Sequence, residues 1–225
     1  MTLILLCLQQ TKDLKCASRL LNEKFEKMSE PKKAIVRELG FGGLMHIPPM
    51  NVPHKLLKEL ANSFKMGKNT LETSYSSFKA KPKTRGDIFP DKVSYEELSE
   101  EDKLIFRRFQ RNTLKNLTDD MMSIGVENEE DRLMFKRIFI LYIQMAFLLP
   151  TTINKVSPVH LAPIFKMDKI TEGNWGAHVL NLIIKGITDY RLKKKKSIDT
   201  CLFALMIIYF HLAKKGEEKP WTALD

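Results

Sequence analysis

The densest concentration of one kind of chemistry in this chain is a run of cations near its C-terminal end. The run consists of Arg191, Lys193, Lys194, Lys195 and Lys196. Guanidinium and ammonium groups at this density can contact phosphates or act as a nuclear-import signal. The same composition is also typical of a solvated loop between two helices, because several lysines cannot be buried together. Both interpretations stay open at this stage.

A second basic stretch lies much earlier in the chain, in a segment rich in proline and lysine. Together, the two stretches permit weak, non-specific contact with nucleic acid. The sequence contains no zinc-finger spacing, no RNP-type aromatic motif and no helix-turn-helix pattern that would favour sequence-specific binding. The cations of the second stretch are Lys79, Lys81, Lys83 and Arg85.

Residues that could catalyse a reaction are present but are not arranged as a catalytic site. Cys201 lies in the most apolar run of the chain, where burial raises the pKa of a thiol and weakens it as a nucleophile. The histidines have neither an i+4 partner nor a neighbouring cysteine, so we predict no metal site and no cofactor. They are His46, His54, His160, His178 and His211.

The glycine-rich and acidic segments favour structural roles. Gly40-Phe-Gly-Gly43 lacks the third glycine of a dinucleotide fingerprint, and it is interpreted as a helix end followed by a turn. Carboxylates cluster at residues 96–102 and 127–131. Acids at helix starts stabilise the helix dipole, so these clusters predict helix N-termini and not an acid–base pair. We therefore predict that the domain is not an enzyme.

Composition limits the compartment and the partners. The chain has 225 residues, is 44% hydrophobic and carries a net charge of +10. Three cysteines without metal-ligand spacing favour a reducing, intracellular compartment. The apolar start, residues 1–8, lacks a basic flank and a cleavage site, so secretion is not expected. The longest uncharged runs are shorter than the roughly 20 residues of a membrane span, so no membrane partner is expected.

Hydrophobic periodicity predicts a mainly α protein, an irregular multi-helix bundle with a small β-hairpin near residues 70–80. The most apolar helix, ending at Leu149, is predicted to be central. The two closing apolar segments, 174–190 and 201–213, are predicted to form a helical hairpin with the basic run at its tip. Trp175 and His178 fall on its core side. The predicted organisation is an N-terminal helical extension (1–28), a main domain (29–215) and a tail (216–225).

Four segments carry a resemblance to a known family. They are Leu39-Gly-Phe-Gly-Gly-Leu-Met-His-Ile-Pro-Pro49, Phe135-Lys-Arg-Ile-Phe-Ile-Leu-Tyr-Ile-Gln-Met-Ala-Phe-Leu-Leu-Pro150, and Asn174-Trp-Gly-Ala-His-Val-Leu-Asn-Leu-Ile-Ile-Lys-Gly-Ile187 with Cys201-Leu-Phe-Ala-Leu-Met-Ile-Ile-Tyr-Phe210. The chain resembles the plant mobile domain, also called aminotransferase-like, which occurs in transposon-derived proteins and often precedes a ubiquitin-like-specific cysteine protease domain.

The resemblance implies a non-catalytic accessory domain that binds an unidentified protein partner in the nucleus, or otherwise in the cytoplasm. It supplies no catalytic residues to carry over. No Schiff-base lysine, pyridinium partner or phosphate cup can be assigned, so the aminotransferase label implies no pyridoxal-phosphate chemistry. Two alternatives remain: a nucleic-acid-binding accessory of a transposase, and an enzyme whose site is assembled only in three dimensions.

Overall fold

The computed structural model describes residues 18–49, 54–73, 77–81, 89, 93–148, 155–194, 198 and 200–215, with the backbone alone at 54, 214 and 215. Several predictions lie outside these residues. They are the start of the N-terminal extension, the tail at 216–225, the two later cations of the second basic stretch, and Lys195 and Lys196 of the C-terminal run.

Within the described residues, the chain forms nine α-helices and one small antiparallel sheet, which confirms the predicted fold class. The helices are α1 (Ser18–Lys27), α2 (Glu30–Glu38), α3 (His54–Ser63), α4 (Glu100–Phe109), α5 (Leu114–Ser123), α6 (Glu129–Ile143), α7 (Pro158–Leu161), α8 (Trp175–Arg191) and α9 (Leu202–Lys215). The strands are β1 (Phe64–Lys65), β2 (Thr70–Glu72) and β3 (Ser77–Lys79), so the predicted hairpin gains a third strand.

Local sequence sets most of the helix ends. The side chain of Thr113 accepts a hydrogen bond from the backbone N–H of Asn116 at 3.1 Å, and Asn128 accepts one from Asp131 at 2.8 Å. Each bond satisfies a donor that has no partner inside the first helical turn. At the C-terminal end of α2, Gly40 has φ of +84°, a conformation that glycine adopts without strain. Its predicted role as a helix stop is therefore confirmed.

Helix α6 is the centre of the molecule. All residues from Ile138 to Leu148 are buried, as the run of apolar side chains predicts. The helix continues into a π-helical turn at Gln144–Leu148. The amide nitrogen of Gln144 donates to the carbonyl oxygens of Ile140, at 3.3 Å, and His160, at 2.9 Å. These bonds let a polar side chain occupy the core, since buried donors need acceptors.

Helices α1 and α2 pack against this central helix. The rings of Phe25 and Phe139 lie 6.3 Å apart, and Phe41 meets Phe139 edge-on at 5.8 Å. Phe41 precedes a short 3-10 turn at Gly42–His46, where the sequence predicts an irregular linker. The turn forms because the prolines that oppose helix begin only at residue 48, beyond its last residue.

Helix α2 also brings one lysine into the interior. Lys32 is only 7% exposed, and its ammonium donates to the carbonyl oxygens of Met121 (3.1 Å) and Met122 (2.7 Å) at the end of α5. It lies 5.8 Å from the centre of the Phe135 ring. Cations stabilise a helix C-terminus because its last carbonyls have no partner within the helix. Burial nevertheless lowers the pKa of Lys32.

The small sheet separates an apolar face from a basic face. Phe64 pairs with Leu71, which pairs with Phe78, and Phe64 and Leu71 are fully buried. Because successive side chains of a strand alternate between faces, the neighbouring row of Lys65, Thr70 and Lys79 lies on the opposite face. Both lysines in this row are exposed.

The two closing helices are not the hairpin that the sequence predicts. The backbone of α9 packs most closely against α3, and not along α8. Helix α9 is apolar on almost all sides, so its sequence favours burial but does not specify which neighbour covers it. The predicted core positions of His178 and Cys201 are confirmed, since both are buried.

Candidate functional site

The described part of the C-terminal basic run lies at the end of α8. The N–H of Lys193 donates to the carbonyl of Tyr190, at 3.0 Å, and the N–H of Lys194 donates to that of Asp189, at 2.9 Å. This pair of bonds is a Schellman motif, in which the residue after the cap adopts the left-handed conformation. Here that residue is Lys193, with φ of +55°. The motif ends the helix and leaves both lysines exposed.

Arg191 belongs to the same run but is engaged with the protein itself. Its Nη2 donates to the carbonyl oxygens of Ala61 and Asn62, each at 3.0 Å, and to that of Phe64, at 3.4 Å. These acceptors lie at the C-terminal end of α3 and the start of β1. One guanidinium therefore satisfies carbonyls that the helix leaves without partners and attaches the end of α8 to the sheet.

This attachment brings lysines from distant parts of the chain to one end of the molecule. The hydroxyl of Thr188, one turn before the end of α8, donates to the carbonyl of Ile184 at 2.7 Å, and its oxygen lies 3.0 Å from the sulfur of Met66. Met66 is flanked by Lys65 and lies two residues before Lys68. We call the exposed residues Lys65, Lys68, Lys79, Lys193 and Lys194 the basic end.

Most of the positive charge of the basic end is not neutralised locally. Lys65 pairs with Glu72 at 3.4 Å, but no carboxylate of the described residues forms an ion pair with the other four lysines. The other ion pairs involve α2, α4 and α6, where Glu38 pairs with both Arg132 and Lys136. The basic end is therefore positively charged, whereas these helices carry charges of both signs in contact.

The four cations of the second basic stretch do not all belong to the basic end. Lys79 belongs to the basic face of the sheet, and Lys81 follows β3 and is exposed. Lys83 and Arg85 lie outside the described residues, as do Lys195 and Lys196. The convergence of Lys79 with the end of α8 has no local sequence signal, because it depends on contacts between residues more than 100 positions apart.

The candidate catalytic residues are dispersed. Cys201 and His178 are buried among apolar groups, and His178 packs edge-on against Phe89 (5.4 Å) and Trp175 (5.7 Å). At the start of α7, the Nδ1 of His160 accepts a hydrogen bond from the backbone N–H of Ser157 at 3.0 Å, as part of a capping box. Among the residues that the structure describes, no three His, Cys, Asp or Glu side chains are grouped as metal ligands would be.

The acidic clusters lie at helix starts, as predicted. The hydroxyl of Ser99 accepts from the N–H of Asp102 and donates to its carboxylate, at 3.1 and 2.9 Å. Glu100 forms an ion pair with Lys103 at 2.8 Å, which lowers the pKa of the glutamate. Glu129, Glu130 and Asp131 form the first turn of α6. Each contact is local and is accounted for by helix capping.

A pocket that the sequence does not predict lies beside α8 and α9. Its volume is about 440 Å³, and its walls include Trp175, Val179, Phe203, Ala204 and Ile207. The sequence pattern places Trp175 and Val179 in a core stripe, but both remain half-buried. The indole N–H of Trp175 donates to the carbonyl of Ile170 at 2.9 Å, which fixes the ring at the pocket wall. Periodicity identifies the apolar stripe but not whether a neighbour covers it.

The phenol of Tyr142 is a titratable group in the interior of the molecule. It is 3% exposed, and burial raises its pKa to about 12. It sits in α6, within the central core. A phenol held neutral in this way has no role as a base near pH 7, since its ionised form is disfavoured by desolvation.

The fold and the basic end define a mainly helical domain with a cationic surface. The family model described as a domain of unknown function (DUF8566) matches residues 14–206, and the chain belongs to this family. No curated protein matches, and no solved structure matches. Over the part of the chain that the structure describes, no helix has the length and apolar character needed to span a membrane.

Proposed function

We propose that this chain is a non-catalytic interaction domain that contacts the phosphate backbone of nucleic acid through the basic end. The observation that carries the proposal is the convergence of the sheet lysines with Lys193 and Lys194. The resemblance to the plant mobile domain supports a nuclear setting and an origin in a transposon-derived protein. A protein partner bound elsewhere on the domain is part of the same proposal.

Charge and geometry support a backbone contact over base readout. Lysine is a flexible point charge that binds phosphate without the bidentate geometry that reads a base edge. The lysines of the basic end project from a strand row, a 3-10 turn and a helix terminus, and no helix carries them together into a groove. We therefore expect binding that depends strongly on salt and weakly on sequence.

The settings of the reactive side chains support the non-catalytic part of the proposal. The thiol of Cys201 is 3% exposed and lies within the hydrophobic core. The imidazole of His160 is occupied in a helix cap, and the carboxylate of Asp102 accepts from the Ser99 hydroxyl that caps another helix.

Equilibrium binding to a fluorescent DNA duplex at several salt concentrations tests the proposal. Four lysines without local counter-charges give a slope of about −3.6 in log K against log salt. Such a slope corresponds to about a 100-fold loss of affinity between 50 and 200 mM salt. The double variant Lys193→Gln/Lys194→Gln should flatten the slope by about 1.8.

A matched control removes two positive charges elsewhere. Lys166 and Lys169 are exposed and precede the start of α8, a helix about 25 Å long whose opposite end carries Lys193 and Lys194. Lys166→Gln/Lys169→Gln changes the net charge equally and should preserve the slope. Equal slopes for both double variants would contradict a localised binding surface. Binding no stronger than that of a neutral protein in 50 mM salt would contradict nucleic-acid binding altogether.

A further inference from the structure

We propose that the pocket beside α8 and α9 binds a single-chain amphiphile with a carboxylate head, of the fatty-acid class. The pocket volume of about 440 Å³ falls within the range of small-molecule sites. This inference concerns a different surface from the basic end and does not depend on nucleic-acid binding.

The walls of the pocket match an alkyl chain. Val179, Ile183 and Leu180 of α8 form one side, and Phe203, Ala204 and Ile207 of α9 form another. Ile207 remains 48% exposed although it belongs to an otherwise apolar helix. An apolar side chain left this exposed at a pocket wall gains from contact with an alkyl chain, since each buried methylene contributes favourable transfer free energy.

A single charge selects the head group. Among the residues that line the pocket, all of them within the described part of the chain, Lys81 is the only one with an ionised side chain. Its side chain is exposed. An amphiphile whose chain lies along α8 and α9 can place a carboxylate at Lys81, whereas a cationic head would be repelled.

The fluorescence of Trp175 reports directly whether the pocket is occupied. The chain has two tryptophans, and the second, Trp221, lies outside the described residues. In a Trp221→Phe background, all tryptophan emission comes from the pocket wall. Titration with saturated fatty acids of 8 to 18 carbons, each below its micelle concentration, then measures binding at this site.

The expected result is saturable 1:1 binding. Affinity should rise about fourfold per added methylene while the chain fills the pocket and then reach a plateau. Lys81→Gln should weaken dodecanoate binding about two- to fivefold, as for an exposed ion pair. Lys79→Gln is the matched control, because Lys79 lies two residues away, is exposed and does not line the pocket.

Two variants fill the pocket independently. Ala204→Phe and Val179→Phe replace half-buried lining residues, so at least one is expected to keep the circular dichroism spectrum and melting temperature of the parent. A variant that fills the pocket and remains folded should bind dodecanoate at least tenfold more weakly than the parent.

Three results would overturn the proposal. The first is no change in Trp175 emission up to the micelle concentration. The second is affinity that climbs without a plateau and is unaffected in a folded filled variant, which indicates adsorption to general apolar surface. The third is dodecyltrimethylammonium binding as tightly as dodecanoate, which removes any role for Lys81.

Discussion

Replacing Arg191 with methionine tests whether this member of the basic run is structural. Methionine keeps much of the side-chain volume and removes the hydrogen bonds to Ala61 and Asn62. The loss leaves two carbonyls at the end of α3 without their charged donor. The third acceptor, Phe64, shares the same nitrogen at 3.4 Å and adds little.

The expected cost follows from these contacts. A hydrogen bond to a charged group contributes about 1.5–3 kcal/mol, and a cation at a helix C-terminus adds about 0.3–1 kcal/mol. Arg191 is exposed, and its two short bonds share one nitrogen, so the low end applies. We expect Arg191→Met to lower the free energy of unfolding by about 2 kcal/mol. For a chain of this length, the melting temperature should fall by about 4–8 °C.

Urea unfolding followed by circular dichroism at 222 nm measures this change. Lys194→Met is the matched control, because Lys194 is exposed in the same segment and has no ion pair among the described residues. It should change the free energy by no more than about 0.5 kcal/mol. Equal effects of the two variants, or an Arg191→Met protein as stable as wild type, would refute the assignment of Arg191 to the attachment of α8 and α3.

Three other predictions concern single side chains with measurable consequences. Burial raises the pKa of Tyr142 to about 12 from 10, so its neutral form stabilises the fold fully below pH 10, and this contribution is lost as pH rises towards 12. Wild type should therefore lose about 2 kcal/mol relative to Tyr142→Phe between pH 9 and pH 12 in urea unfolding, and parallel pH profiles would contradict this. Lys193→Gly should raise the free energy of unfolding by about 0.5 kcal/mol, and with it the melting temperature, because glycine adopts φ near +55° without strain. A lower melting temperature would show that the lysine side chain makes a stabilising contact. Lys32→Met should lower the free energy of unfolding by about 1–3 kcal/mol, since the carbonyls of Met121 and Met122 lose their donor. An unchanged or higher value in the same unfolding assay would contradict this, because it would show that removing the buried charge offsets the lost hydrogen bonds.

Much of the fold is predictable from the sequence because its causes are local. The N-terminal starts of α5 and α6 follow from the side chains of Thr113 and Asn128, which bond to backbone N–H groups three residues later. The C-terminal end of α2 follows from Gly40. The apolar run to Leu148, interrupted only by Gln144, predicts a central helix because no face of it is predominantly polar. The plant mobile domain resemblance and the nuclear setting also come from the sequence, and they stay predictions.

The candidate surfaces required the tertiary structure because their causes are not local. Composition identifies Arg191 as one cation among five, and only the position of α3 turns it into the donor that joins two helices. The pairing of α9 with α3 could not be inferred from α9 itself, since an all-apolar helix fits many neighbours. For the same reason, the stripe at Trp175 and Val179 predicts core, whereas the arrangement of its neighbours leaves a pocket there.

The sequence by itself determined a mainly helical chain with capped elements, a small strand region and cations too dense to bury. The tertiary structure decided which cations share a surface and which apolar residues remain uncovered. The physical reason is separation along the chain: Arg191 and Ala61 lie 130 residues apart, and contacts over that distance depend on how whole elements pack. Local propensity fixes the elements, and packing then determines which surfaces are available for binding.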